Sequence, residues 1–105
     1  MRPSALGGRS EVGDASYYAA PYHGRPTASG ATFNTHKLTA AHRTLPFGTR
    51  VRVTNLGNGK TVVVTITDRG PFRRNRVIDV SERAARELDF VRAGTARVRI
   101  DIVSG

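Results

Sequence analysis

The sequence predicts a mainly β fold, a small closed barrel of six short strands with one short helix near the C-terminus. Three observations predict it: segments in which polar and apolar residues alternate, β-branched runs between turn residues, and a single helical stretch late in the chain. A chain of 105 residues buries enough surface for one modest core, so we expect a single domain. Closure into a barrel removes the exposed edges that short strands leave in an open sheet.

The first elements are short and are separated by a loop. Residues 1–12 are rich in Gly, Ser, Pro and charge, so we predict an N-terminal tail or linker there and a folded domain over residues 13–105. Alternation over residues 14–19 predicts the first strand. Residues 20–31 hold two prolines and two glycines and are predicted to form a loop, of the kind that carries function on a rigid scaffold. Residues 38–42 are ambiguous between strand and helix.

The clearest element is a central hairpin. Residues 50–54 alternate with period two, and residues 60–67 form a β-branched strand. Asn58 and Gly59 between them suit a hairpin turn, because both residue types tolerate a positive φ. A segment with Gly and Pro, residues 68–72, then interrupts the strand.

The chain is predicted to end with a strand, a helix and a last strand. Residues 77–80 are the strand before the helix. Ser81 suits the N-cap position, and the acidic Glu82 suits the positive start of a helix over residues 82–88. Residues 96–103 alternate again and form the last predicted strand.

The charge is strongly positive. Lysine and arginine total 17 against 8 acids, which gives a net charge of +9. This excess favours a polyanionic partner such as nucleic acid, anionic lipid or an acidic cell-wall polymer. Nucleic acid is the least supported of these, because the sequence lacks the aromatic and basic motifs of the usual binding modules. No apolar run approaches ~20 residues, and the start lacks the apolar stretch of a signal peptide, so we expect no membrane span.

Several kinds of site are excluded by residue type or spacing. The sequence has no cysteine, which excludes disulfides, thiolate metal sites and a cysteine nucleophile. His23, His36 and His42 lack tight ligand spacing, so no metal site is predicted. The serines have no nucleophile-elbow context, and there is no phosphate-cradling glycine loop, so no cofactor is predicted either.

Two aspartates are left as candidate acids. Asp68 ends the long strand and begins a Gly-Pro loop, whereas Asp79 lies between Ile78 and Val80 in a strand predicted to be buried. Apolar surroundings favour the neutral carboxyl group, which a proton donor needs. The structural alternatives are an Asx turn for Asp68 and, for Asp79, a pair with Arg76 or a helix cap. Spacing alone leaves these alternatives open.

Seven short motifs lie in order along the chain: GDASYY at 13–18, HGRPTASG at 23–30, LTAAH at 38–42, LPFGT at 45–49, VTN at 53–55, DRGPF at 68–72 and RVIDVS at 76–81. Together they resemble the rare lipoprotein A family, from about residue 13 to residue 103. The resemblance implies that the barrel is a six-stranded double-psi β-barrel.

The resemblance also implies an activity. Members of this family are bacterial lytic transglycosylases, which cleave the MurNAc–GlcNAc bond of peptidoglycan and leave a 1,6-anhydro end. The implied partners are glycan strands stripped of peptides, and the implied location is the periplasm or cell envelope. Relatives are usually lipid-anchored and carry a further glycan-binding domain. Because no lipid-attachment cysteine is present, we expect an excised catalytic domain or a short relative, acting as a monomer.

The family pattern assigns roles to particular residues. It implies that Asp68 is the catalytic acid and that His42 is functional. The related expansins and membrane-bound lytic transglycosylase A use two aspartates eleven positions apart, as Asp68 and Asp79 are, and in them the later one is usually the acid. We predict Asp68 as the acid by the closer resemblance, with Asp79 as its partner. Where the family usually has Glu, this chain has Ala31, which implies weakened or absent catalysis if that Glu assists the reaction.

Candidate substrate contacts come from the same motifs. Tyr17 and Tyr18 alternate, so one ring can face the groove and stack on a sugar, with packing as the alternative for both. Arg69 is a candidate to bind a MurNAc or peptide carboxylate, with an internal pair to Asp79 as the alternative. The other predicted contacts are His23, Arg25, Thr27, Ser29 and Arg76.

Overall fold

The structure, a computed structural model, describes residues 10–18, 22–73 and 75–105. Within these residues the elements are β1 (Glu11–Tyr17), β2 (Thr39–Ala41), β3 (Arg50–Asn55), β4 (Thr61–Asp68), β5 (Arg76–Val80), α1 (Glu82–Glu87) and β6 (Ala96–Ser104). No helix among them is long and apolar enough to cross a membrane.

The strands form a closed barrel in the order β1-β5-β2-β4-β3-β6. The β1–β5 and β2–β4 pairs are parallel, and the other pairs are antiparallel. The last strand, β6, pairs with both β1 and β3 and so closes the sheet. The prediction of a closed six-stranded barrel with one short helix is confirmed.

The hairpin β3–β4 follows its sequence pattern. Alternate residues of both strands, among them Val51, Val53 and Val64, are buried in the barrel core. At the turn, Asn55 Oδ1 accepts the Gly57 amide at 2.9 Å, and Gly59 adopts the predicted positive φ of 77°. The alternation therefore fixes which faces of these strands are inside.

The helix covers the barrel with a small apolar face. Ser81 is the N-cap, as predicted, and its side chain accepts the Ala84 amide at 3.3 Å. Ala84, Ala85 and the C-cap residue Leu88 are fully buried in the core cluster. The α1 segment therefore adds apolar contacts to a core that the strands alone leave small.

The first strand begins earlier than the sequence predicts, and the ambiguous segment is a strand. β1 begins at Glu11, so the predicted tail over residues 1–12 is too long: Glu11 and Val12 pair with Ile100 and Arg99 of β6. Residues 1–9 of that tail, and residues 19–21 of the predicted first strand and loop, lie outside the described residues. The ambiguous segment is the strand β2, because β4 and β5 flank it and supply its hydrogen-bond partners.

Candidate active site

The two candidate acids lie on either side of the same strand. Ala41, at the end of β2, is paired with Asp68 of β4 on one side and with Asp79 of β5 on the other. Because neighbouring strands lie ~4.8 Å apart, the Cα atoms of the two aspartates are separated by about 10 Å. The parallel and antiparallel pairings of β2 therefore bring two distant parts of the sequence to one place on the barrel.

The Asp68 carboxylate has donors on both oxygens. Oδ1 accepts the backbone amides of Ala28 and Arg69, each at 2.9 Å. Oδ2 accepts the Tyr18 hydroxyl at 3.2 Å. An Asx turn needs the amide two residues on, so the Arg69 contact does not form the one considered from the sequence, and the other two donors come from distant segments. The carboxylate is thus held in one orientation.

Asp68 borders a cavity of about 210 Å³. The lining residues are Tyr18, Tyr22, Arg25, Pro26, Thr27, Phe33 and Asp68. The cavity therefore offers one carboxylate, one guanidinium and several aromatic rings to a ligand, a combination that suits a sugar carrying a carboxylate.

The loop over the cavity is an ordered hairpin. The Gly24 amide donates to the Phe33 carbonyl at 2.8 Å, and the Phe33 amide donates to the Arg25 carbonyl at 2.8 Å. Nearer the tip, the Thr27 hydroxyl donates to the Ala31 carbonyl at 2.7 Å. The Ser29 amide ties the tip to β4 through the Thr67 carbonyl at 3.2 Å. This anchoring places the Ala28 amide within hydrogen-bond distance of the Asp68 carboxylate.

Tyr18 is packed within the site. Its ring lies edge-on to the buried Phe33, with centroids 5.2 Å apart, and tilted against Tyr22 at 5.6 Å. Burial raises the pKa of Tyr18 well above its usual range, and the negative charges of Asp68 and Asp79 raise it further. The phenol therefore remains a protonated hydrogen-bond donor at physiological pH.

Tyr17 points to the other side of the strand. Its ring is edge-on to Phe90 at 5.9 Å, and its hydroxyl donates to the Val91 carbonyl at 3.2 Å. It does not line the cavity. The alternation thus separates the two tyrosines: Tyr18 faces the site and Tyr17 has the packing role that was its alternative, so we no longer assign Tyr17 to substrate.

The predicted functional histidine is buried and holds backbone. His42 Nδ1 accepts the amides of Thr44 and Leu45 at 3.1 and 3.2 Å. Since Nδ1 is an acceptor, the proton is on Nε2, which donates to Glu11 Oε1 at 3.0 Å. Towards Asp68, His42 offers its backbone amide, which reaches the Asp68 carbonyl oxygen at 3.1 Å. The imidazole therefore joins β1 to the segment after β2 and directs no nitrogen at the Asp68 carboxylate.

Asp79 has internal partners. It accepts the Ser16 hydroxyl on Oδ1, and its side chain is only 13% exposed. The Arg76 Nε lies 3.7 Å from the same oxygen, too far for a hydrogen bond, and is buried without a partner among the described residues. The structural alternative for Asp79, a pair with Arg76, is thus present as an ion pair.

Arg69 is also engaged within the protein. Its Nη1 donates to the carbonyls of Leu45 and His42, at 2.8 and 3.2 Å. The guanidinium carbon sits 4.0 Å from the centre of the Phe47 ring, a cation–π distance. Its anchors are therefore backbone carbonyls and an aromatic ring rather than the pair with Asp79 considered from the sequence.

The remaining predicted residues lie along the loop. His23 Nδ1 accepts the Thr35 amide at 3.2 Å, and Ser29 Oγ lies 2.9 Å from the Thr27 hydroxyl. Ala31 is exposed, and its carbonyl holds the Thr27 side chain. Arg25 and Thr27 line the cavity directly, whereas His23, Ser29 and Ala31 are not among its lining residues.

Sequence reasoning missed three lining residues and one donor. Tyr22, Pro26 and Phe33 were not singled out, although aromatic residues in a Pro- and Gly-rich loop were a usable signal. The Ala28 amide, which holds Asp68, has no side-chain signature at all. Its role depends only on how the loop folds.

A comparison with known protein families matches the part of the chain that contains all the site residues described above. Residues 10–100 match the family described as lytic transglycolase. The chain is 62% identical, over 84% of its length and 28% of the relative's, to the probable endolytic peptidoglycan transglycosylase RlpA of Treponema pallidum. It is 52% identical, over 91% of its length and 41% of the relative's, to the endolytic peptidoglycan transglycosylase RlpA of Neisseria meningitidis. The chain therefore belongs to the RlpA-like double-psi β-barrel family, and it spans less than half of the length of these relatives.

Similar solved structures agree on the fold. The Streptomyces papain inhibitor superposes with a TM-score of 0.73 at 24% identity, covering 91% of this chain and 96% of the inhibitor. A mutant of the Clavibacter michiganensis expansin in complex with cellohexaose gives a TM-score of 0.72 at 20% identity, covering 90% of this chain and 50% of the expansin. At these identities the similarity concerns the fold alone, and the predicted double-psi β-barrel is confirmed.

Proposed function

We propose that this domain is a lytic transglycosylase that cleaves MurNAc–GlcNAc bonds in peptide-free peptidoglycan strands and leaves 1,6-anhydroMurNAc ends. The observation that carries the proposal is Asp68, a fixed carboxyl group that borders a cavity with aromatic rings and a guanidinium. The names of the relatives support the same reaction. All three donors to Asp68 belong to one chain, so a monomer suffices, and the substrate locates the enzyme in the cell envelope.

The reaction needs one carboxyl group in two roles. Asp68 first donates its proton to the glycosidic oxygen as the bond to the MurNAc anomeric carbon breaks. The resulting carboxylate then takes the proton from the MurNAc 6-hydroxyl, whose oxygen bonds to that anomeric carbon. Asp68 thus ends the reaction protonated, as it began, and no water is consumed. Asp79 acts as a partner through its negative charge near Tyr18, which favours the positive charge that develops on the sugar ring.

Substrate contacts follow from the cavity. Tyr22 is 48% exposed and is the ring best placed to stack on a sugar. The guanidinium carbon of Arg25 lies 5.8 Å from the centre of that ring. The guanidinium can bind the lactyl carboxylate that distinguishes MurNAc from GlcNAc. Thr27 adds a hydroxyl at the cavity wall. These residues combine a stacking surface with a charge that recognises the MurNAc side of the bond.

The proposed reaction has a specific product test. Peptide-free glycan strands are incubated with the protein in water labelled with heavy oxygen, and the products are weighed by mass spectrometry. We expect ends that are one water lighter than hydrolysis products and that carry no label. Labelled reducing ends would instead identify a hydrolase, and uncut strands would contradict cleavage by this chain.

A second candidate is a glycan-binding domain with little catalysis, and Ala31 is the observation that favours it. We expect Ala31→Glu to raise turnover on peptide-free glycan, because a carboxylate on the loop that borders the cavity stabilises the oxocarbenium-like transition state. Loss of one well-placed electrostatic group costs ~2.7–4 kcal/mol, so the gain is on the order of 10²-fold. Ala31 is exposed, so the larger side chain fits.

The matched control is Ala31→Gln, which has the same shape without the charge. Cleavage by the Glu variant alone would identify the present chain as a binding domain that lacks one catalytic group. Equal and vigorous cleavage by the parent and both variants would remove any role for this position.

Binding to wall glycan is expected to weaken as salt is added. The net charge of +9 attracts the lactyl carboxylates of the glycan at long range. In ~0.1 M salt this attraction is screened beyond ~10 Å. The measurement is a binding titration of peptide-free glycan across salt concentrations. A neutral GlcNAc oligomer, which lacks the lactyl group, is the control and should show little salt dependence. Glycan binding that stays unchanged from low to high salt would mean that sugar stacking, not charge, governs recognition.

A further inference from the structure

The two oxygens of the Asp68 carboxyl group are not equivalent. Two backbone N–H groups, from Ala28 and Arg69, point at Oδ1. A proton on Oδ1 would compete with both donors for the same lone pairs, so the protonated form carries its proton on Oδ2. Oδ2 has one partner in the described residues, the Tyr18 hydroxyl at 3.2 Å.

We propose that Tyr18 is a positioning residue whose hydroxyl orients Oδ2, the oxygen through which Asp68 gives and takes its proton, and stabilises its charged form. This inference rests on the proposed function, in which Asp68 is the acid. It assigns to Tyr18 a task that its ring alone could not perform. The sequence predicts sugar stacking for this residue, with packing as the alternative.

The Tyr18 hydroxyl is held where this task requires it. The ring packs edge-on against Phe33, which is nearly inaccessible, and against Tyr22, so it cannot swing away without disrupting the loop hairpin. The raised pKa of Tyr18 keeps the phenol protonated, so it donates to Oδ2 in both states of Asp68. When Oδ2 is protonated, its own O–H is free to point at the glycosidic oxygen.

The hydrogen bond changes strength during the reaction. A bond to a carboxylate is stronger than a bond to a neutral carboxyl group, so Tyr18 stabilises Asp68 most after the proton has left. The hydroxyl therefore favours proton release to the leaving group. Removing it should make Asp68 hold its proton more tightly.

Other charged or titratable groups surround this pair. Asp79 on β5 adds negative charge near Tyr18, and Arg25 and Tyr22 face the cavity from the loop. Arg69, the next residue in the chain, is fixed on backbone carbonyls. Tyr18→Phe changes none of these groups, so its effect isolates the one hydroxyl.

The first test is a carbon NMR titration of the Asp68 side-chain carboxyl group in the parent and in Tyr18→Phe. We expect a higher midpoint in Tyr18→Phe than in the parent, because the charged form loses one hydrogen bond. Tyr17→Phe is the matched control, since it also removes a hydroxyl that donates over 3.2 Å, but on the opposite side of β1. An unchanged Asp68 midpoint in Tyr18→Phe, or an equal rise in both variants, would overturn the proposal.

The parent protein provides a check that needs no variant. The ring carbon bonded to the Tyr18 hydroxyl should shift at the same pH at which Asp68 titrates, whereas the corresponding Tyr17 carbon should not. A Tyr18 signal that stays constant through the Asp68 titration would contradict the hydrogen bond.

Kinetics then connect the hydrogen bond to the reaction. The alkaline limb of the kcat/KM profile, which reports the essential acid of the free enzyme, should move to higher pH in Tyr18→Phe, in the same direction as the NMR midpoint. A limb that stays in place while the NMR midpoint moves would overturn the role in catalysis. If the parent releases no anhydro ends, the proposed function fails, and the NMR titration still decides whether Tyr18 controls Asp68.

Discussion

Asp68→Asn is expected to abolish cleavage of peptide-free glycan while the barrel remains folded. The Asn carbonyl oxygen can still accept the amides of Ala28 and Arg69, so the local hydrogen bonds are largely kept. Its NH₂ group stands in place of Oδ2 and cannot supply a proton to the leaving oxygen. Turnover should fall by at least the ~10²–10⁴-fold that general acid catalysis contributes. The measurement is the rate at which anhydro ends appear, with circular dichroism as the test of the fold.

A surface aspartate gives the matched control for this variant. Asp89 is exposed, pairs with Lys60 at 3.8 Å and has a φ of 60°, a conformation that Asn adopts readily. Asp89→Asn makes the same chemical change outside the site and should cut at the parent's rate. If Asp68→Asn also cut at that rate, the catalytic acid would have to be Asp79, as in the expansin analogy.

His42→Ala is expected to lower the free energy of unfolding by about 3 kcal/mol. The substitution leaves the buried amide of Leu45 and the partly buried amide of Thr44 without their acceptor, and Glu11 without its donor. Each unsatisfied buried group costs ~1–3 kcal/mol, partly offset where water reaches the site. Urea unfolding followed by circular dichroism measures the change.

A second substitution separates support of the backbone from chemistry. In His42→Asn the side-chain oxygen takes the approximate place of Nδ1, so the amide contacts are largely kept while the bond to Glu11 is lost. We expect most of the stability and most of the cleavage to be retained. A fully stable His42→Ala protein that no longer cuts would show instead that the imidazole takes part in the reaction.

The strands were predictable where the pattern is local. The β3–β4 hairpin has alternating residues and a turn sequence, and Ser81 marks the helix start, so each could be assigned from neighbouring residues. β2 could not, because three residues carry little pattern and β2 is a strand only through its pairing with β4 and β5. The start of β1 was missed for the same reason, since Glu11 pairs with a strand at the other end of the chain.

The residues of the candidate site were likewise predictable where neighbouring residues specify them, and not where distant segments do. The position of Asp68, at the end of a strand and before a Gly-Pro turn, is visible in the sequence. The alternation of Tyr17 and Tyr18 predicted opposite faces but could not say which ring faces the cavity. The Ala28 amide and the anchoring of Arg69 on carbonyls depend on loop conformation, which residue types do not encode locally.

The closing position of β6 has a consequence for how the domain folds. β6 is the last element along the chain, and only its pairing with β1 and β3 turns the sheet into a barrel. Before β6 pairs, β1 is held on one side only, by β5, and Tyr18 follows directly at the end of β1. Pairings of such long sequence separation form late and slowly. We therefore expect the candidate site to assemble late in folding, when β6 closes the barrel.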